Sequence, residues 1–221
     1  EIAQCLVGSE MCIRDRDYVK AGWADYYANP DYMATYPEGA RKEFNYMTEW
    51  PTAAGKTVKW QDSQDGYPCI AKYQDYNQGV AGNSAQSNGI TPIYRYADVL
   101  LRYAEASNLA TGSVNATALK CLQDIQTRAG VSTLTTTTNS EEFDKAVFAE
   151  RGYEFLAEYK RWFDLVRREK VSEFKSKYYP SSVMKANSHY YFPIPSTQIK
   201  LTGWTNNAGS VSYTHLTLPT T

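Results

Sequence analysis

The chain has 221 residues, of which 43% are hydrophobic and 21% charged, and its formal net charge is −1 at pH 7. This composition is typical of a folded globular protein, and the balanced charge gives no indication of nucleic acid or an anionic membrane as the main partner. The sequence contains no apolar run of the roughly 18 residues that a transmembrane helix requires, and no stretch with the pattern of a signal peptide. Its unusual feature is an excess of aromatic residues, with 19 Tyr, 7 Phe and 5 Trp.

The two ends of the chain differ from the rest. Residues 1–16 and 211–221 show no helical period and no turn chemistry that joins them to their neighbours. They resemble translated adapter sequence at the ends of assembled reading frames, so we expect both to be foreign tails. Between them, Cys69 and Cys121 have no CxxC spacing and His189 is a lone histidine, more typical of a hydrogen-bonded structural residue than a catalyst. A zinc site is therefore not expected.

Residues 17–90 are predicted to be rich in loops. Asn29 followed by Pro30 has the pattern of a helix N-cap and first helical position. The segment 57–76 is predicted to form short extended pieces around a turn at Asp65-Gly66, and residues 77–89 have the composition of a loop.

Residues 91–170 are predicted to form a helical core. The first helix is expected to begin at Thr91-Pro92 and to end at Gly112. A second helix is expected to end at Gly130 and to pair with the first as an antiparallel hairpin of the tetratricopeptide type. The apolar faces of these two helices are Ile93, Ala97, Leu100, Leu101 and Ala104, and Ala118, Leu122, Ile125 and Ala129. 

A third helix is predicted from an N-cap at Asn139 to about Lys170, with Glu142 in a capping box. Along it, Glu150, Glu154 and Glu158 are spaced by four residues, so like charges stack on one stripe. Such a stripe is tolerable in a buried helix only if cations pair with it. The spacing predicts structural ion pairs among Arg151, Glu154, Glu158, Arg161 and Asp164.

Two interpretations of these acids as an active site fit the sequence less well than structural ion pairs do. A glycosidase needs two carboxyl groups about 5–9.5 Å apart across a cleft, usually from different elements. Acids one turn apart with arginines nearby would instead be held ionised, which does not suit a general acid. A di-iron bundle would need Glu-x-x-His motifs, and the sequence contains none. We therefore expect no catalytic residues, no metal and no cofactor.

Four segments in order carry a family resemblance. They are RYADVLLRYAEA (95–106), ALKCLQDIQTRAG (118–130), ERGYEFLAEYKRWFDLVR (150–167) and YYFPIPSTQIKLTGWTNNAG (190–209), with KYQDY (72–76) as a weaker fifth. They resemble the C-terminal half of SusD/RagB proteins, nutrient-binding lipoproteins on the outer membrane of Bacteroidetes-type bacteria. The resemblance covers residues 17–210, with 171–210 as a closing segment.

The resemblance implies a mainly α fold of tetratricopeptide-like helix pairs with long loops and a few short strands. It implies a non-enzymatic protein of the cell surface that binds a glycan or another nutrient and passes it to a SusC-type TonB-dependent transporter. Membrane attachment would be through a lipid anchor in an N-terminal part that this sequence lacks. Tyr159 departs from the family pattern, since many members have glycine there, and this puts the local packing in question.

The ligand-binding residues are expected in the loops, because the shared motifs are scaffold. Tyr and Trp offer flat apolar faces with a polar tip, which match the C–H face and hydroxyl edge of a sugar ring. The candidates are Trp23, Tyr26, Tyr27 and Trp60, although any of them could instead fill the core. Two alternatives stay open: a tetratricopeptide-type module that binds a polypeptide, and a peptide-capturing relative.

Overall fold

The computed structural model describes residues 27–52, 55–63, 66–72, 92–171, 191 and 193–207. Within these ranges the chain forms seven α-helices, a 3-10 turn and four short strands, so the predicted mainly α class is confirmed. The foreign tails predicted at 1–16 and 211–221, and His189, lie outside the described residues. The described helices include none long and apolar enough to cross a membrane.

The described residues divide into two compact units, one before and one after the boundary between Arg161 and Trp162. The first unit contains, in chain order, α1 (Pro30–Ala34), α2 (Ala40–Asn45), β1 (Tyr46–Met47), β2 (Glu49–Pro51), β3 (Thr57–Lys59), the 3-10 turn (Trp60–Asp62), β4 (Cys69–Ile70), α3 (Tyr96–Thr111), α4 (Ala116–Arg128) and α5 (Ser140–Glu154). Helix α6 (Arg161–Arg167) spans the boundary between the units, and α7 (Ser196–Thr202) belongs to the second.

The core of the first unit lies between α3, α4 and α5. Helix α3 packs against both α4 and α5, as the predicted helix hairpin requires. The apolar residues of α4 predicted to face inward are all buried, and from α3 the residues Ala97, Leu101 and Ala104 join them. The small side chains of α3 allow the helices to approach closely. Phe143 and Val147 of α5 complete this core.

The predicted helix ends are largely confirmed. The Asn29 side chain accepts hydrogen bonds from Asp31 N (2.9 Å) and Tyr32 N (3.3 Å), with Pro30 as the first residue of α1. Asn139 caps α5 by accepting from Glu142 N at 3.0 Å. After α3 and α4, the chain turns at two glycines in the left-handed region, which glycine adopts without steric cost: Gly112 (φ 64°) and Gly130 (φ 69°).

The predicted start of α3 is wrong. The helix begins at Tyr96, with Arg95 as the N-cap in an extended conformation (φ −146°, ψ 163°), whereas Pro92 and Ile93 precede it. Ile93, which the helical period placed on the buried face, is 78% exposed. An extended Arg95 reaches across to α5 and the turn that follows it, so the side chain contacts described below account for the late start.

The predicted continuous helix from Asn139 to Lys170 is also wrong. Helix α5 ends at Glu154, and residues 155–160 form a turn in which Ala157 and Tyr159 both have φ of 60°. Tyr159, where the family resemblance leads one to expect glycine, thus has a left-handed backbone that costs a non-glycine residue roughly 1–2 kcal/mol. Tyr159 packs against the cluster of Tyr36, Tyr46 and neighbouring residues.

Gly152 inside α5 provides a test of this packing. A Cβ atom there would lie 2.2 Å from the Tyr32 hydroxyl oxygen and 3.0 Å from the Arg161 guanidinium carbon. Helix propensity alone would make Gly152→Ala stabilising by about 1 kcal/mol. We expect the opposite, a loss of about 1–3 kcal/mol, because the Tyr32 hydroxyl oxygen is buried and its ring packs beside those of Tyr36 and Tyr153. Urea unfolding of the variant measures this; a stability equal to or above that of the parent would contradict it.

In the second unit, α6 is followed by Glu169 at φ 52°, and the Lys170 amide donates to the Leu165 carbonyl oxygen at 2.8 Å. Helix α7 ends at Gly203 in the left-handed conformation. The Ile194 amide donates to Asn206 Oδ1 at 2.9 Å, so Asn206 ties the extended segment before α7 to the segment after it. Phe192, at the start of the predicted closing segment FPIP, lies outside the described residues.

Candidate functional site

The three glutamates that raised the question of catalysis are buried in an ion-paired group. Glu150 and Glu154 come from α5 and Glu158 from the turn after it. Their partners come from four other segments of the first unit. We name the group the carboxylate cluster: Arg41, Lys72, Arg95, Arg128, Glu150, Glu154 and Glu158.

Arg95 is the centre of the carboxylate cluster. Its Nε and Nη2 donate to Glu158 Oε2 and Oε1 at 2.9 and 2.7 Å. This pair of hydrogen bonds fixes the relative orientation of the guanidinium and carboxylate groups. Its Nη1 donates to Glu154 Oε1 at 2.5 Å, and its Nη2 also donates to the Glu154 carbonyl oxygen at 2.8 Å. The same guanidinium lies 4.8 Å from the centre of the Phe155 ring. Arg95 therefore holds the end of α5 and the following turn together.

Two further arginines complete the pairing of the α5 acids. Arg41 of α2 donates to Glu150 Oε1 and, at 3.1 Å, to Glu154 Oε2. Arg128, the last residue of α4, donates to Glu154 Oε1. Glu154 thus accepts from three arginines on three different segments.

Lys72 neutralises Glu158 from the other side. Its Nζ lies 2.5 Å from Glu158 Oε1 and also donates to the carbonyl oxygens of Glu154 (2.8 Å) and Leu156 (3.2 Å). Burial lowers the pKa of Lys72, and the Glu158 carboxylate offsets part of that effect. The ammonium group therefore donates to carbonyl groups at the end of α5 and in the turn that follows, where a helix C-terminus lacks intrahelical partners.

The electrostatics of Glu154 do not suit general acid catalysis. Burial would raise the pKa of this carboxyl, but the charge and hydrogen bonds of Arg95, followed by the charges of Arg128 and Arg41, hold the pKa below its ordinary value. A general acid needs the reverse, a carboxyl whose pKa is raised toward the working pH. Glu154 is therefore an ionised structural group.

Arg151 pairs with a different acid from the one its spacing indicated. Its Nη1 donates to Asp98 Oδ1 at 2.9 Å, and both side chains are buried, whereas the sequence placed Arg151 beside Glu154. Arg102 and Lys160 lie 3.1 and 3.5 Å from Asp98 Oδ2. Burial opposes ionisation of Asp98, but the hydrogen bonds from Arg102 and Arg151 outweigh it and lower its pKa. This second ion-paired group joins α3 to α5.

The remaining predicted ion pairs also have other contacts. Arg161 Nη1 donates to the Phe148 carbonyl oxygen at 3.0 Å, and its guanidinium lies 4.3 Å from the centre of the Phe148 ring. Asp164 accepts from Arg167 Nη2 at 2.7 Å, three residues further along α6. Each of these contacts stabilises a local element.

Sequence reasoning missed Arg41, Lys72, Arg95 and Arg128 as partners of the glutamates. A signal for two of them was present, because Lys72 and Arg95 are the first residues of two of the segments that carry the family resemblance. Among the described residues, no group of three or more His, Cys, Asp or Glu side chains could hold a metal ion.

The aromatic candidates that the structure describes lie together elsewhere in the first unit. Strand β1 pairs with β4 and β2 with β3, both antiparallel, and Trp50 of β2 is opposite Val58. Trp50 is 2% exposed and packs with Cys69. Tyr27 and Trp60 pack around these two residues and remain half-buried. The Tyr67 ring lies 5.7 Å from the ring of Tyr27.

We name Tyr27, Trp50, Trp60 and Tyr67 the aromatic cluster. The structure thus brings two of the four predicted ligand-binding residues, Tyr27 and Trp60, to one cluster around the buried Trp50 and Cys69. Tyr27 and Trp60 are both half-buried, so part of each remains accessible to solvent. Trp23 and Tyr26 lie outside the described residues.

A separate group of tyrosines has a structural role. Tyr36 lies within 4.6–5.7 Å, ring centre to ring centre, of Tyr32, Tyr46 and Tyr153. The Tyr36 hydroxyl donates to the Tyr153 carbonyl oxygen at 3.0 Å, and the Tyr153 hydroxyl donates to the Thr35 carbonyl oxygen at 2.9 Å. Burial raises the pKa of Tyr36. Part of the tyrosine excess is therefore used to attach α1 to α5.

Comparisons with known proteins agree with this architecture. The SusD-like protein P2 of Formosa agariphila is 31% identical over 150 residues, which are 64% of this chain and 30% of that protein. A SusD superfamily protein of Parabacteroides distasonis superposes with a TM-score of 0.67 at 21% identity, over 91% of this chain and 49% of that one. Surface glycan-binding protein A of Bacteroides thetaiotaomicron, in complex with laminarihexaose, gives a TM-score of 0.62 at 23% identity, over 93% and 46%.

The chain spans less than half the length of each of these relatives. The two superpositions nevertheless cover about nine tenths of this chain, so the fold is shared over most of it. The sequence profile of the SusD family matches residues 18–208, which is most of the chain. The chain therefore belongs to the SusD family.

Proposed function

We propose that this chain is part of a cell-surface glycan-binding protein that captures an oligosaccharide without cleaving it. The observation that carries the proposal is membership of the SusD family, together with a structural relative that is named a surface glycan-binding protein and holds laminarihexaose. In this proposal the protein is lipid-anchored at the outer membrane and delivers its ligand to a SusC-type TonB-dependent transporter.

The electrostatics support a non-catalytic role. Glu150, Glu154 and Glu158 each pair with at least one cation, and Glu154 has a lowered pKa. Acids held in this way stabilise the scaffold and are unsuited to proton transfer at a glycosidic bond.

The aromatic cluster is the surface that we propose for the glycan. Tyr27 and Trp60 are half-buried, and both pack against the buried pair of Trp50 and Cys69. Because Trp50 and the two strand pairs already hold these rings in place, little side-chain entropy is lost when a sugar stacks on them. A rigid aromatic surface on loops beside a helical scaffold is a common arrangement for a binding site.

The experiment is a glycan panel that includes laminarihexaose, followed by titration calorimetry with the best ligand. Tyr27→Ala combined with Trp60→Ala is expected to weaken binding at least about tenfold, since each stacked aromatic ring contributes on the order of 1 kcal/mol. Phe44→Ala is the matched control, because Phe44 is an exposed aromatic on α2 outside the cluster. It should leave binding unchanged.

Two results would contradict the proposal. Equal affinity for the parent and the double variant would show that the aromatic cluster is not the glycan surface. Release of new reducing ends from the bound glycan would show that the protein is an enzyme.

A further inference from the structure

Residues 69–72 connect the aromatic cluster to the carboxylate cluster. Strand β4 occupies the first two of these positions, and its first residue, Cys69, is buried and packs with Trp50 of the aromatic cluster. Lys72 lies two residues after the strand and pairs with Glu158 of the carboxylate cluster. A short run of chain thus leads from the surface proposed for the glycan to the buried ion pairs.

The ladder of β4 is too short to hold the strand in place by itself. Within the described residues, β4 pairs with β1 alone, and the ladder consists of Tyr46 opposite Ile70 and Met47 opposite Cys69. A pair of strands without further packing is at best marginally stable in water. The position of β4 therefore depends on its side chains and on the residues on either side of it.

The residues before β4 hold two rings of the aromatic cluster. The Ala28 amide donates to the Pro68 carbonyl oxygen at 2.9 Å. Tyr27 precedes Ala28 and Tyr67 precedes Pro68, and the centres of these two tyrosine rings are 5.7 Å apart. A displacement of β4 along its length would therefore move Tyr67 relative to Tyr27.

The residue that ties the other end of β4 to the helices by directional bonds is Lys72. Its ammonium donates to the carbonyl oxygens of Glu154 and Leu156 and to the carboxylate of Glu158, all at the end of α5 or in the turn that follows. The Lys72 side chain is 15% exposed and that of Glu158 is 1% exposed. Water screens such a pair less than it screens a surface ion pair, and a charged donor makes short, strong hydrogen bonds.

The other contacts of this end leave β4 freer to move. The Ala71 amide donates to the Asn45 carbonyl oxygen at 2.8 Å, but Asn45 leads directly into β1, so this bond extends the same short ladder. Ile70 belongs to one hydrophobic cluster with Ala157 of the turn after α5. Burial of apolar surface is non-directional and tolerates small shifts, which the bonds of Lys72 do not.

We propose that Lys72 is a positioning residue for the glycan surface. Its ammonium fixes β4 against the turn after α5, and β4 then holds Trp50 through Cys69 and Tyr67 through the chain. This inference rests on the function proposed above, because the aromatic cluster is the surface that Lys72 positions. Rings that are already held in place lose less entropy when a sugar stacks on them, so loss of the anchor weakens binding without removing any ring.

The test separates the charge of Lys72 from its size. Lys72→Met keeps an apolar stem and removes the ammonium, whereas Lys72→Arg keeps a cation with several donors. Titration calorimetry with laminarihexaose and with the best ligand of the glycan panel measures affinity at a temperature at which circular dichroism shows each variant to be folded. We expect Lys72→Met to weaken binding about fivefold or more and Lys72→Arg to stay within about twofold of the parent. If Lys72→Met does not fold, the neutral Lys72→Gln takes its place.

Glu154→Gln is the matched control. It removes a charge from the same carboxylate cluster, but the Glu154 carbonyl oxygen and the Glu158 carboxylate remain as acceptors for Lys72. Binding by this variant should stay within about twofold of the parent, even though its fold is less stable. Equal weakening of binding by Lys72→Met and Glu154→Gln would overturn the proposal, because Lys72 would then contribute to stability alone. If Glu154→Gln does not fold, Arg128→Gln serves as the control.

A second measurement needs no ligand. The indole N–H of Trp50 is buried and has no hydrogen-bond partner among the described residues, so packing protects it from exchange with solvent. Its hydrogen exchange can be followed by ¹H–¹⁵N NMR, with Trp50→Phe for assignment. Exchange should be at least about tenfold faster in Lys72→Met and close to the parent rate in Lys72→Arg and Glu154→Gln.

Two further results would overturn the proposal: unchanged affinity in Lys72→Met, or unchanged exchange of the Trp50 indole in that variant. Failure of the parent to bind any glycan of the panel would instead contradict the proposed function. The exchange rates would then still decide whether Lys72 holds the aromatic cluster in place.

Discussion

Replacing Glu154 with Gln is expected to lower the free energy of unfolding at pH 7 by about 3 kcal/mol. Glutamine preserves the shape of the side chain but removes the charge that accepts from Arg41, Arg95 and Arg128. The loss lies at the lower end of the range for broken buried ion pairs because Arg128 is half exposed and can be solvated by water. Urea unfolding followed by circular dichroism measures it.

The same variant gives a signature in the pH dependence. Because the folded-state pKa of Glu154 is lowered, its stabilising effect is complete above the unfolded-state pKa of about 4.3 and is lost as the pH falls through the folded-state pKa. The difference in stability between the parent and Glu154→Gln should therefore be largest from pH 7 to 5 and should shrink below about pH 4. A difference that grows as the pH falls would contradict this account.

The control for this prediction breaks an exposed ion pair. Lys120→Gln removes the partner of Asp124 on the surface of α4, where both side chains are more than half exposed. The stability of this variant should be indistinguishable from that of the parent in the same unfolding experiment, because water and salt screen an exposed ion pair. If Glu154→Gln does not fold, Arg128→Gln tests the same cluster from its exposed side, with an expected loss of about 1 kcal/mol.

Replacing Gly39 with Ala is expected to destabilise the protein by about 3 kcal/mol or more. Gly39 caps α2 at φ 149° and ψ 174°, a backbone conformation that is nearly exclusive to glycine. An added Cβ would lie 2.3 Å from the Gly130 carbonyl oxygen at the end of α4. Relieving this contact would move α2, break the hydrogen bond from Arg41 N to Ala129 O (3.1 Å) and displace Arg41 from the carboxylate cluster.

Gly55→Ala is the matched control for Gly39→Ala. Gly55 also has a positive φ, 76°, but nothing lies within 4 Å of the position where its Cβ would be. It reports the backbone cost alone, about 1 kcal/mol. Thermal unfolding measures the stability of both variants. A loss of stability in Gly39→Ala no larger than that in Gly55→Ala would contradict the role given to the contact with Gly130.

The elements that could be predicted from the sequence are those with local signals. Asn29, Asn139 and Gly112 act through hydrogen bonds or backbone angles that involve only their own neighbours in the chain. The buried face of α4 follows from a 3.6-residue period that no other interaction overrides. In these regions the local preference and the tertiary structure agree.

The two errors have a common tertiary cause. Nothing between Phe155 and Lys160 is a helix-breaking Gly or Pro, yet the chain turns there so that Glu158 meets Arg95 and Lys72. Arg95 itself stays extended, which delays α3. Contacts between residues 63 and 86 positions apart in the sequence decided both boundaries, and a local pattern does not report them.

For the carboxylate cluster, the sequence indicates that cations are needed but not which residues supply them. The need for cations beside Glu154 and Glu158 follows from the cost of burying charge. Which cations meet that need depends on the fold, and the structure supplies them largely from other segments. Composition alone points to Tyr27 and Trp60, whereas the burial of Trp50 beside them depends on the pairing of β2 with β3.

The most direct test of the structural role of the acids is the titration of Glu154 itself. Its side-chain carboxyl carbon can be followed by ¹³C NMR from pH 7 to pH 3, with Glu154→Gln for assignment. The pKa of Glu154 is lowered, so this carbon should still show the chemical shift of an ionised carboxylate when the pH falls below about 4.3, the ordinary pKa of glutamate. A midpoint above about pH 5 would contradict it, since that is the behaviour of a general acid.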